Sequence, residues 1–174
     1  MEPQITVYIT GTTTEATYEV GYVVKRGQII ETKDNEMLSI QIGDKTILGM
    51  SENTRIEIHK ILTNDKVVKF TKGRIIINTE DDIPIVVETN FTENLLHKGS
   101  ASFVNYDFLE KVHILPIINS VQTNIKGSNE YILIPEGMEI KETNPIKYKK
   151  IQYNLNTGEH GRFYEWFKRI VDQN

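Results

Sequence analysis

The chain has 174 residues, 39% of them hydrophobic, with 20 basic and 24 acidic side chains and a net charge of −4. That composition supports one packed domain with at most an appendage, and it leaves no basic footprint for nucleic acid. Cysteine is absent, which excludes disulfides, thiolate metal sites and thiol catalysis.

In chain order, Met1-Glu2-Pro3-Gln4 is a polar entry with no basic-then-apolar leader, and no later run nears the ~18 apolar residues of a spanning helix. Two readings of address follow. Either the protein is cytoplasmic, or an export or anchor segment lies outside this chain. Ile5, Val7 and Ile9 alternate with Thr6 and Tyr8, which predicts a half-buried first strand. Gly11-Thr12-Thr13-Thr14 is a polar loop.

From residue 18 to 140 the sequence pulses between short apolar runs and turn signals. The runs include Val20 to Val24, Ile29-Ile30, Leu38 to Ile42, Ile47-Leu48, Ile56 to Ile58, Val67 to Phe70, and Ile75 to Ile77. Ile85 to Val87, Phe103-Val104, Val112 to Ile114, Val121 and Ile132 to Ile134 follow. Gly43-Asp44 between two alternating runs predicts a two-residue hairpin. Strands this short, at a spacing of roughly 8–12 residues, predict an all-β fold. The expected form is a β-solenoid-like stack, with a β-sandwich or jelly roll as the alternative. Ile75, Phe103 and Ile132 are expected to point inward.

Lys141 to Pro145 form a polar patch before a further strand over 146–153, whose Lys147, Lys149 and Lys150 make a charged sheet edge. Residues 154–158 break that strand. The tail then changes period. Phe163, Trp166, Phe167, Ile170 and Val171 fall at i, i+3, i+4, i+7 and i+8, on one face of an amphipathic helix over 159–173. Arg162, Glu165, Lys168, Arg169 and Asp172 occupy the other face. The expected organisation is a single β domain over 1–153 followed by that helix. The helix has two readings: a cap on the open end of the β stack, or a partner-docking face made of Phe163, Trp166, Phe167 and Ile170. Its mixed-sign polar face argues against a membrane surface.

The order of the β steps resembles the FecR domain, over a core of about 18–142. Gly27-Gln28-Ile29-Ile30-Glu31-Thr32 resembles the opening of that pattern, and residues 38–48 its next strand pair. Asn53 to Ile58, then Phe70-Thr71-Lys72-Gly73-Arg74-Ile75, then Val86-Val87-Glu88-Thr89 resemble its following steps. Gly99 to Val104 and Leu133 to Ile140 resemble its later ones. Gly43-Asp44 stands where the family has Asp-Gly, and Asn119-Ser120 where a Gly is expected. The resemblance implies a non-enzymatic module of the bacterial cell envelope, outside the cytoplasmic membrane, that binds proteins or relays signals. The anti-sigma segment and membrane helix of the iron-signalling members are not in this chain.

Residue chemistry agrees with a binding role. His59, His97, His113 and His160 lack metal-ligand spacing, and alternation with Ile58 and Ile114 sends His59 and His113 to the solvent face. Glu80-Asp81-Asp82 reads as a solvated turn without the offsets of a calcium loop. No phosphate-cradling glycine loop and no Gly-x-Ser-x-Gly elbow occurs. No catalytic, cofactor or metal residues are therefore expected. The expected function is a protein-binding or scaffolding module. The alternatives are a self-associating structural subunit and, with less support, a carbohydrate-binding or polysaccharide-active solenoid. The expected partner is a protein and not nucleic acid, with membrane contact only through an anchor absent from this chain.

Overall fold

A computed structural model describes residues 4–13, 16–142, 147–150 and 158–172. The expectations for the entry at Met1 to Pro3, for Thr14, for residues 143–146 and for the turn at 154–157 lie outside the described residues, as do the ends of the 146–153 strand.

The strands form two sheets. An eight-stranded sheet contains, in spatial order, β1 (Val7–Thr12), β3 (Leu38–Ile42), β4 (Thr46–Met50), β7 (Arg74–Thr79), β10 (Ser100–Tyr106), β11 (Val112–Ile118), β14 (Met138–Glu142) and β15 (Lys147–Lys150). A seven-stranded sheet contains β13 (Tyr131–Ile134), β12 (Val121–Ile125), β9 (Thr92–Leu96), β8 (Ile85–Glu88), β6 (Asp65–Lys72), β5 (Arg55–Leu62) and β2 (Ile29–Glu31). The helix α1 spans Gly158–Asp172.

This is the sandwich and not the solenoid. Solenoid coils would stack equivalent strands in parallel, but here β6–β8 is the one parallel pair among the described strands. The chain instead distributes antiparallel hairpins between the two sheets. The β3–β4, β10–β11 and β14–β15 pairs go to one, and β5–β6, β8–β9 and β12–β13 to the other. Short strands and frequent turns are common to both architectures, so strand spacing could not separate them. The first hairpin turn is also one residue longer than expected. Ile42 pairs with Thr46, so Gly43, Asp44 and Lys45 form the loop, with Gly43 at φ 67°.

Between the sheets lies the main core. Leu38, Ile40, Leu48, Met50, Ile75, Ile77, Val104 and Ile114 face Ile30, Ile56, Ile58, Val68, Phe70, Ile85, Val87 and Val121. Period-2 alternation supplies this inner face. The outer face of the eight-stranded sheet is apolar as well. Ile47, Ile76, Phe103 and Leu115 lie there, and α1 covers them with Phe163 and Phe167. That second layer explains why β3 and β4 are buried along their whole length. Ile75 is inward, as expected. Phe103 is fully buried, but on the opposite face, beneath the helix. Ile132 is only partly buried against the main core.

Gly49 sets how closely the helix approaches. A Cβ there would sit 2.7 Å from Phe167 Cδ2 and 2.9 Å from Ile76 Cγ2. Alanine is the better strand residue by roughly 0.5–1 kcal/mol. Overpacking a buried ring costs more, about 1–3 kcal/mol. Gly49→Ala is therefore expected to destabilise by about 1 kcal/mol, the difference of the two mid-range values. A urea melt at unchanged m-value reads this directly, and a neutral or stabilised variant would contradict the close approach.

Candidate functional site

Of the four helix residues expected to form a docking face, the fold brings two into the molecule. Phe163 and Phe167 are 2% exposed, packed against the eight-stranded sheet. Trp166 and Ile170 are half-buried. A Cβ at Gly11 would lie 2.7 Å from Ile170 Cδ1, so the helix runs from β10 and β11 across β7 and β4 towards β1. The helix lies on a sheet face rather than on the end of a stack.

The sheet ends differ in how they are protected. The free side of β1 is covered by the chain that follows it: Tyr22 O accepts the Ile9 N–H at 2.9 Å, and Val7 O accepts the Val24 N–H at 2.8 Å. β2 has only three residues. β15 carries Lys147, Lys149 and Lys150. At the far end of the seven-stranded sheet, β13 has no lysine, no proline and no bulge in its pairing with β12. Tyr131 is 66% exposed and Leu133 59% exposed on its outer face. Among the described residues, β12 is its only strand partner.

Two ion networks escaped the sequence reading. Lys66 alternates inward with Val68 and Phe70 and is 1% exposed, and its ammonium sits 2.6 Å from Asp81 Oδ2. Asp81 also accepts the Ile83 N–H at 3.0 Å. Burial pushes the Asp81 carboxyl up, but the Lys66 hydrogen bond, the Ile83 amide and the nearby lysine charges outweigh it and hold the group below its ordinary value. Asp82 pairs with Lys98 at 3.0 Å. The turn is thus solvated at Glu80 and Asp82, as expected, while Asp81 is drawn in by a buried lysine. A lysine at an inward strand position leaves no mark in the apolar pattern except a gap.

The second network centres on His113, on the outer face of β11. Its Nε2 lies 2.7 Å from Asp107 Oδ2, and its Nδ1 meets Glu139 Oε1 of β14. All three side chains are no more than 19% exposed. Alternation did send His113 to the outer face, but the partners make it largely buried. The hydrogen bond that the ring donates to Glu139 raises the imidazole pKa, burial opposes this, and the hydrogen bond to Asp107 adds to the rise. For Asp107, burial pushes the carboxyl up, but the hydrogen bonds from His113 and from the Lys111 and Leu109 amides prevail and lower it. Each ring nitrogen faces a different carboxylate, so the donors do not converge on one point. Among the described residues no His, Asp or Glu group is arranged to hold a metal ion. His59 lies 3.1 Å from Glu57. The side chain of His160 is outside the described residues.

The clefts among the described residues are open. One of about 440 Å³ lies beside the start of the helix, lined by Met37, Glu52, Arg74, Tyr106, Arg162 and Phe163 among others. Another borders β13 through Glu93, Gln122, Asn124 and Tyr131. No helix of the described residues is long and apolar enough to cross a membrane.

No family profile matches this sequence. No curated protein sequence is similar to it. The fold does have counterparts among solved structures. Two crystal structures, at 2.50 and 1.65 Å resolution, of a "putative anti-sigma factor" from Parabacteroides distasonis ATCC 8503 superpose with TM-scores of 0.60 at 17% and 16% identity. The match covers 71% of this chain and 59% of that one. At such identity the likeness is one of fold.

Proposed function

We propose that this chain is a non-enzymatic, protein-binding module of the FecR type, working outside the cytoplasmic membrane in signal relay, and that its partner adds a strand to β13. The observation that carries this reading is the β13 edge, which has no protection among the described residues. Natural sheets blunt their edges with charge, proline, bulges or covering chain. The other three ends here have such protection or are very short, whereas β13 offers main-chain hydrogen bonds flanked by Tyr131 and Leu133. That combination suits an extended peptide, with backbone pairing for affinity and alternate side chains for specificity. The shared fold with a protein described as an anti-sigma factor supports a regulatory setting. Trp166 and Ile170, still half-exposed on α1, would serve as a secondary contact, since Phe163 and Phe167 are already engaged.

Self-association is the second reading, favoured by the same edge, because β13 of one copy can pair with β13 of another. The carbohydrate-active alternative loses its basis with the solenoid, and Asp81, Asp82 and Glu88 are each paired with a lysine.

The test is Leu133→Lys, which places a charge on the edge without touching the core. The intact chain is expected to be monomeric by light scattering and to capture a protein from the source organism's envelope fraction, and the variant is expected to lose it. A dimer that dissociates on Leu133→Lys would shift the reading to self-pairing. Equal recovery by both chains would overturn recognition at this edge.

A further inference from the structure

The residue that holds His113 also builds the turn between β10 and β11. Asp107 Oδ2 faces His113 Nε2, while its Oδ1 accepts the N–H groups of Leu109 at 2.9 Å and Lys111 at 3.0 Å. The turn is closed further by Asp107 N–H to Lys111 O and Glu110 N–H to Asp107 O, both 2.9 Å. Glu110 takes a left-handed φ of 60°. At the tip, Phe108 is 93% exposed and Leu109 58% exposed.

A neutral imidazole donates from one nitrogen only, whereas imidazolium donates from both. Two carboxylates placed at the two nitrogens therefore select the charged ring. The surroundings of the ring carry both signs. On β14 stand Glu139 and, in register with His113, Lys141, with Lys147 of β15 opposite Lys141. On β10 the register partner is neutral Asn105, and Arg74 of β7 lies next to it. The turn adds Asp107, Glu110 and Lys111.

We propose that the Asp107–His113–Glu139 cluster is a proton-controlled latch. With His113 protonated it ties the β10–β11 turn to β14; loss of the proton leaves the ring a single N–H, so one of the two carboxylates is released, the bridge between turn and β14 is broken, and the tip that presents Phe108 and Leu109 loosens. This inference is independent of recognition at β13. The direction in pH follows from the groups themselves. The His113 pKa is raised, so its contribution is complete below the ordinary value of 6.5 and is lost as pH rises through the folded-state value. The Asp107 pKa is lowered, so its contribution is present above 3.8 and is lost as pH falls through its folded-state value. The latch is closed between these limits and opens on the alkaline side.

Amide hydrogen exchange in the intact chain, corrected for the intrinsic pH dependence, tests this alongside the ring proton shifts of His113. Protection at Leu109 and Lys111 is expected to fall about tenfold for each unit by which the folded pKa exceeds the ordinary one, while amides of β7 are unchanged. His113→Gln, which has one donor end, is expected to give low protection at those two amides at every pH. Protection that stays constant while the ring titrates would overturn the latch, as would a ring that never titrates between about pH 5 and 9. The wild-type titration decides the matter even if the variant does not fold.

Discussion

Ile75→Asp abolishes cooperative folding, whereas Ile76→Asp leaves the sandwich folded and releases the helix: that is the expected outcome for two neighbouring, fully buried residues of β7. Ile75 points between the sheets, among residues contributed by both. A carboxylate there has no partner, and burying it uncompensated costs several kcal/mol, a large part of the roughly 5–15 kcal/mol that holds a domain together. Ile76 points the other way, under Phe163 and Phe167. Its Asp can reach water if α1 lifts away, so the loss is limited to what the helix contributes. Circular dichroism melts separate the two. Ile75→Asp should show no sigmoidal transition. Ile76→Asp should keep one, at lower temperature and with less helical signal. Identical behaviour would mean that the two layers are not energetically distinct.

Phe163→Ala is expected to destabilise by about 3–5 kcal/mol, the range for emptying a buried aromatic site. The ring is buried and sits on Phe103 with centroids 6.2 Å apart and planes inclined at 52°. A cycle with Phe103→Ala should return a coupling of about 0.5–1.5 kcal/mol, beyond simple area burial. Half-buried Trp166 should lose less on substitution by Ala, nearer 1 kcal/mol. If Phe163 costs no more than Trp166, the helix is only loosely seated. The same packing makes truncation before α1 a poor probe of docking, because it uncovers Ile47, Ile76, Phe103 and Leu115 together. Point substitutions at Trp166 or Leu133 leave that layer closed.

Much of the architecture was legible in the chain. Alternation at Ile5 to Ile9 and Leu38 to Ile42 and the apolar run Ile75 to Ile77 predicted strands, and Gly43-Asp44 predicted a hairpin. The change of period at Phe163 predicted a helix that begins within a residue of where it is found. The candidate sites were far less legible. Lys66 stands just before the apolar run Val67 to Phe70 and drew no reading from sequence; only the fold shows Asp81 closing over its ammonium. His113 had an expected solvent face, but its partners come from six residues before it and twenty-six after. Neither separation matches any local period, so no windowed pattern could have joined them.

The sequence by itself determined that this is a β protein with one terminal amphipathic helix, because a period of 2 or 3.6 is written in neighbouring residues. Only the tertiary structure decided sandwich over solenoid, since strand length is the same in both and pairing partners are not encoded locally. It also decided that Phe103 serves a second layer. Alternation says that adjacent residues face opposite ways, but it cannot say what lies on either side. That depends on α1 returning across β4, β7 and β10, where Gly49 leaves room for Phe167.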